Sequence, residues 1–203
     1  MNQELQKKSF FTTRNLTSMA VMAALAVVLV SLIHFPLLPA APFMEYDPGN
    51  IPLFIVAFAF GPVPGFVLTV IVSVIQGVTV SASSGIIGII MHIAATGTAM
   101  LVAGSIYKRN KTKKNAVLSL VLSVLTMTGV MVIMNLIFTP IFMDVPIETV
   151  VGMIVPIILP FNLIKASLNA VIAFALYKTV GKLFKDNWAR KRAKELEPSE
   201  QEQ

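Results

Sequence analysis

The stretch IPLFIVAFAFGPVPGFVLTVIVSVIQGVTV, residues 51–80, carries no charged side chain and holds Gly61, Pro62, Pro64 and Gly65 near its middle. Proline removes a backbone donor and clashes with the preceding helical turn, so a Gly/Pro cluster of this density marks a sharp break. One apolar run therefore reads as two helices, at residues 50–60 and 63–80. Outward from this pair, further hydrophobic helices are expected at residues 15–34, 85–107, 115–139 and 150–183. Pro156 and Pro160 disfavour regular helix before Phe161, so the last crossing is expected to begin with an irregular or kinked segment shielded by protein. The fold class that follows is an all-α integral membrane protein, a six-transmembrane-helix bundle.

Composition agrees. A chain of 203 residues that is 56% hydrophobic and 13% charged, with a mean hydropathy of +0.80, falls outside the range of water-soluble domains. A helix crossing ~30 Å of hydrocarbon needs roughly 20 apolar residues, and residues 16–33 contain no charge. The basic start followed by an apolar run resembles a secretory signal, but the run is long and further spans follow, so an uncleaved first helix is the better reading. Cysteine is absent, which removes disulfides, thiolate catalysis and Cys-ligated metals.

Lys and Arg collect in short cytoplasmic loops of membrane proteins. Here they fall at Lys7, Lys8 and Arg14, then at Lys108 to Lys114, then from Lys178 to Lys194. The connections near residues 35–49, 81–84 and 140–149 hold none, and Glu45, Asp47, Asp144 and Glu148 sit in them. Six crossings with both termini cytoplasmic satisfy every loop. The expected organisation is a cytoplasmic segment 1–14, a membrane domain 15–185 and a polar cytoplasmic tail 186–203. The sequence pI near 9.7 is then explained by topology and anionic lipid headgroups rather than by nucleic acid.

Lys165 breaks this pattern. It lies inside the last helix, where insertion scales put its cost at ~2.5 to 3.5 kcal/mol. Asn162 and Asn169 stand one helical turn to either side of it on one face, and Asn135 occupies a similar depth on the preceding helix. A lone intramembrane Asn is commonly interhelical glue worth ~1 kcal/mol, and a lysine near a helix end commonly snorkels. The conjunction is what stands out, because these groups share the side of the membrane that carries the Pro-rich acidic loop with Glu45 and Asp47. Together they read as a site open to the outside.

Asn supplies donors and acceptors, Lys supplies donors, and Phe43 and Tyr46 supply flat apolar surface. That set suits a neutral, planar heteroaromatic ligand with carbonyl or imide edges. No catalytic set is evident: there is no Ser/His/Asp constellation, no HExxH and no GxxxxGK[ST] phosphate loop, so neither metal nor cofactor is expected and the chain is not read as an enzyme. His34 and His92 are read as packing or interfacial residues. Asp47 has a structural alternative, capping the helix that follows Pro48.

The segment FPLLPAAPFMEYDPGNIPLFIVAFAFGPVPGF, residues 35–66, resembles the first extracellular loop and second helix of the riboflavin-specific substrate-binding (S) components of energy-coupling factor (ECF) vitamin transporters. GIIGIIMHI, IYKRNKTKKNA, MNLIFTP and FNLIKASLNA resemble that family in order and spacing, over nearly the whole chain apart from its polar ends. Asn50 stands where the family commonly has an acidic residue. The resemblance implies a bacterial plasma-membrane protein that captures riboflavin from outside without chemistry on it, riboflavin being the transported ligand. By motif, Asn135, Asn162 and Lys165 would hydrogen-bond the vitamin, with Glu45 and Tyr46 in the closing loop. The family's small-residue face on helix one corresponds to Ala20 and Ala24, with Ala23 beside them, in MAVMAALAVVL. In the family this face docks on a transmembrane coupling subunit that carries two ATP-binding subunits; ordinary packing within the bundle is the alternative on spacing alone. A subunit tuned to thiamine or biotin, or a non-transporting membrane scaffold, remains the competing reading.

Overall fold

A computed structural model describes residues 13–39, 41–42 and 44–196. The apolar break is where the sequence puts it: α2 (Asn50–Phe60) ends at Gly61, whose φ of 105° favours glycine, and α3 (Pro62–Val78) starts on the next residue with proline in its first turn. Proline there is favourable, since the missing N–H belongs to the group of helix-initial donors that have no intrahelical partner.

α1 (Thr13–Leu32) precedes this pair. A short 3₁₀ turn, Ala82–Ser84, leads into α4 (Gly85–Arg109), and α5 (Lys113–Met143) follows. The last helical run has three parts. α6 (Ile147–Met153) passes into a π-helical turn, Ile154–Ile158, and then into α7 (Leu159–Leu196). The irregularity expected before Phe161 is this π turn, with Pro156 inside it. Most boundaries shift by one to three residues, and two shift further. α5 continues through Pro140 to Met143, which a membrane helix tolerates because neighbouring groups can satisfy the backbone that proline frees. α7 continues to Leu196, into the segment expected to be polar tail. Residues 1–12 and 197–203, which include most of the expected N-terminal segment and the end of that tail, lie outside the described residues.

Among the described residues, four helices are long and apolar enough to cross a membrane: Asn15–Leu32, Ala82–Arg109, Lys113–Met143 and Ile147–Val180. α2 and α3 are apolar but shorter. α2 is about 16 Å long at 1.5 Å per residue, and residues 50 to 58 of it are all buried. A helix apolar on every side belongs in the interior, and α2 packs against α1, α3, α4 and α7.

Lipid is as apolar as leucine, so such helices associate through close packing rather than escape from water. The contact faces are accordingly small. Ala95, Ala99 and Ala103 on α4 and Ala166, Ala170 and Ala173 on α7 are all buried in the core around Phe54 and Met100. Toward the cation-bearing end the core closes with Phe58, Tyr107 and Tyr177, whose rings lie 4.6 to 5.8 Å apart in tilted and edge-on contacts. Such pairs add ~0.5 to 1.5 kcal/mol beyond their buried area. The opposite end has a smaller apolar cluster of its own and holds the polar residues.

Candidate ligand site

The loop between α1 and α2 folds over this opposite end as a lid. Its two strands, β1 (Phe35–Pro36) and β2 (Glu45–Tyr46), pair antiparallel with Phe35 opposite Tyr46 and Pro36 opposite Glu45. Ala41 and Met44 seat it on a second apolar cluster formed by Val150, Ile158 and Phe161. A pairing of this length does not hold itself together in water. What fixes it is a set of ties to α7. The Lys165 ammonium donates to Asp47 Oδ2 at 2.5 Å and to the Glu45 carbonyl at 3.0 Å. One turn on, Asn169 accepts from the Tyr46 hydroxyl at 3.1 Å and donates to the Asp47 carbonyl at 3.0 Å.

The side chains of Lys165 and Asp47 are only 13% and 16% exposed, so each charge depends on the other. Burial pushes the Asp47 carboxyl up, but the charge and hydrogen bond of Lys165 and the Gly49 N–H outweigh it and hold the group below its ordinary value. The Tyr46 hydroxyl is pushed up by burial and by the Asp47 carboxylate. Asp47 Oδ1 accepts from the Gly49 N–H at 3.0 Å, just ahead of α2, while Oδ2 takes the lysine.

Beneath the lid lies a cavity of about 230 Å³. A single water needs only ~10 to 15 Å³ of such space, so the cavity suits a small organic molecule. Glu45, Asp47, Asn135, Asn162 and Lys165 all line it. Asn135 and Asn162 each donate one amide hydrogen to the carbonyl one turn back, Met131 and Ile158 respectively, at 2.8 Å, and Thr139 donates to Asn135 Oδ1. The internal bonds set the orientation of each amide and leave each a second N–H. Of the other expected residues, Tyr46 turns away into the bundle toward Asn169 and is not in the cavity wall. Phe43 lies outside the described residues. On α1, Ala20 and Ala24 face outward while Ala23 is buried against the core.

The α3 and α4 wall was not foreseen. Ser73 and Gln76 of α3 and His92 of α4 line the cavity, with Ser73 Oγ 2.7 Å from His92 Nδ1. His34 lines it too, its Nδ1 3.0 Å from the Val30 carbonyl. A polar triplet one turn apart on an otherwise apolar α3, Thr69, Ser73 and Gln76, was the available signal.

Gly49 shows how closely the lid is seated. A Cβ there would stand 2.6 Å from Val30 Cγ2 and 2.9 Å from Gln76 Nε2. Gly49→Ala is expected to destabilise the protein by ~1 to 3 kcal/mol, the usual cost of overpacking, as a lowered melting temperature of the purified protein. An unchanged melting temperature would mean that the lid is not held against α1 and α3 as described.

The model of the ECF transporter substrate-specific component covers residues 14–177. The chain belongs to this family. Among its relatives, the riboflavin transporter RibU of Streptococcus thermophilus is 29% identical over 179 residues, 83% of this chain and 84% of the relative. RibU of Staphylococcus aureus is 25% identical over 187 residues, 89% and 97%. A solved S component of a bacterial ECF transporter superposes with a TM-score of 0.72 at 24% identity, covering 85% of this chain and 98% of that one. The fold is therefore that of an S component.

Proposed function

We propose that this S component captures riboflavin from outside the cell in the cavity beneath the lid and delivers it inward after docking on an ATP-driven module. The observation that carries the reading is the cavity wall itself: Asn135, Asn162 and Lys165 converge under a lid whose Asp47 carboxylate is paired with Lys165, in a chain similar to riboflavin transporters over most of its length. In this reading the second N–H of each Asn and the spare hydrogen of Lys165 address the carbonyl and imide edge of the isoalloxazine ring. Phe161, which also lines the cavity, supplies apolar surface.

The bundle crosses the membrane six times, the short α2 buried within it and α3 exposing one apolar face, and both termini are cytoplasmic, as the loop cations favour. Residues 15–185 form the membrane domain in the bacterial plasma membrane. The outward Ala20 and Ala24 face receives a transmembrane coupling subunit carrying two ATP-binding subunits. Release requires that the docked state bind the vitamin less well than the free state, and opening of the lid ties supplies that difference.

Riboflavin fluorescence quenching by purified, ligand-stripped protein tests the reading. Saturable quenching by riboflavin is expected, with flavin mononucleotide binding about tenfold or more weakly, because Lys165 is committed to Asp47 and a phosphate dianion would meet Glu45 and Asp47 without a free cation. Absence of quenching in folded protein, with saturable binding of thiamine or biotin, would replace the vitamin in this proposal.

A further inference from the structure

The mechanism so far uses the α5 and α7 wall, yet the opposite wall carries a donor and acceptor pattern of its own. Ser73 has one hydroxyl hydrogen and two close partners. Its Oγ lies 2.6 Å from the Thr69 carbonyl, which can only accept, and 2.7 Å from His92 Nδ1. The hydrogen therefore goes to Thr69, and His92 Nδ1 must be the protonated nitrogen that donates to Ser73. Neutral His92 then presents Nε2 as a bare acceptor. Gln76 stands one turn beyond Ser73 on the same face of α3; it is only 7% exposed, lines the cavity, and its amide nitrogen is buried with no hydrogen-bond partner. Buried donors are nearly always paired. The terminal amide turns easily, since its torsion is broad, so a group entering the cavity is the natural acceptor.

We propose that Gln76 and His92, with Ser73 fixing the His92 tautomer, form a hydroxyl-reading subsite that recognises the polyol chain of the bound vitamin. A hydroxyl is the functional group that donates and accepts at one atom. It gives its hydrogen to His92 Nε2 and accepts from the Gln76 amide, which neither a methyl group nor a carbonyl does. The inference rests on the riboflavin reading and divides the ligand between two walls: ring edge at Asn135, Asn162 and Lys165, ribityl chain at Gln76 and His92.

The test compares riboflavin with lumiflavin, which carries a methyl group in place of the ribityl chain, by fluorescence titration of wild type, Gln76→Met and His92→Phe. Gln76→Met keeps the volume and removes the unpaired donor, so the ligand-free protein is expected to be as stable as wild type or more so. Wild type is expected to prefer riboflavin. Each variant is expected to weaken riboflavin about tenfold or more, which is about 1.4 kcal/mol, with lumiflavin held within about twofold, so that the preference collapses. Equal weakening of both flavins would assign these residues to packing, and unchanged riboflavin affinity would remove them from the site; either result overturns the subsite while leaving riboflavin as ligand. A wild type that binds neither flavin overturns the riboflavin reading and the subsite with it.

Discussion

Lys165→Met is expected to lower riboflavin affinity about a hundredfold or more, close to 3 kcal/mol. The lysine ammonium joins the Asp47 carboxylate and the Glu45 carbonyl to α7, and both are parts of the lid. Removing it deletes two ties and the proposed contact with the ring edge, and it also strands the Asp47 charge. Breaking a buried pair by removing one partner commonly costs ~3 to 5 kcal/mol, much of it the penalty of the orphaned ion. Residual exposure of both side chains argues for the lower part of that range. The second variant separates the contributions. Asp47→Asn in the Lys165→Met background removes the stranded charge while keeping an acceptor for the Gly49 N–H, and is expected to recover about tenfold of the lost affinity, as coupled neighbours do in a double-mutant cycle. Titrations of wild type, the Lys165→Met and Asp47→Asn single variants and the double variant measure it. A Lys165→Met protein with wild-type affinity would show that the lid is not what retains the ligand, and a double variant no better than the single would assign the whole loss to the contact with the vitamin.

The parts of this site that were legible in the sequence are those where polarity contradicts its surroundings. Lys165 and the two asparagines are conspicuous because hydrocarbon penalises them, and Glu45 and Asp47 because no other carboxylate lies between Leu5 and Met143. The turn at Gly61 and the irregular helix around Pro156 were legible because proline and glycine act through the local backbone. Tyr46 lies in the closing loop as expected, but its hydroxyl turns to Asn169, 123 residues away, and which way a loop tyrosine turns depends on packing that no local pattern encodes. Ser73 is not singled out by the sequence, and His92 reads there as a packing or interfacial residue, for a related reason. A serine in a membrane helix can satisfy itself on the preceding turn, as Ser73 does on Thr69, so it carries no penalty to notice until a second helix brings a histidine against it. Asn169 had been placed on the right helix face, but the lid crossing over it was needed to show that it holds backbone and hydroxyl of the loop rather than lining the cavity.

Ala20→Leu combined with Ala24→Leu is expected to abolish riboflavin uptake while leaving binding to the isolated subunit within about twofold of wild type. The two alanines stand one turn apart on the outward side of α1, whereas Ala23 and Ala26 point into the core with Met19 and Met22. Enlarging the outward pair adds volume where no residue of this chain needs the space. In a membrane, small residues at such spacing let a second backbone approach closely, and the attraction is van der Waals packing that falls away steeply with separation. A leucine at each position would hold a partner helix several ångströms farther out, so the subunit would load but not dock. Lipid, by contrast, accommodates leucine as readily as alanine, so a merely lipid-facing stripe predicts no effect on uptake. Ala23→Leu serves as the opposite control, expected to destabilise the bundle by ~1 to 3 kcal/mol through overpacking and so to reduce binding and uptake together. Uptake of labelled riboflavin by cells that express the coupling module, measured beside titration of the purified proteins, distinguishes the cases. Full uptake by the double variant would place the docking surface elsewhere, whereas loss of uptake with binding preserved separates capture from delivery on one helix, the buried edge of α1 supporting the cavity and the exposed edge answering to the motor.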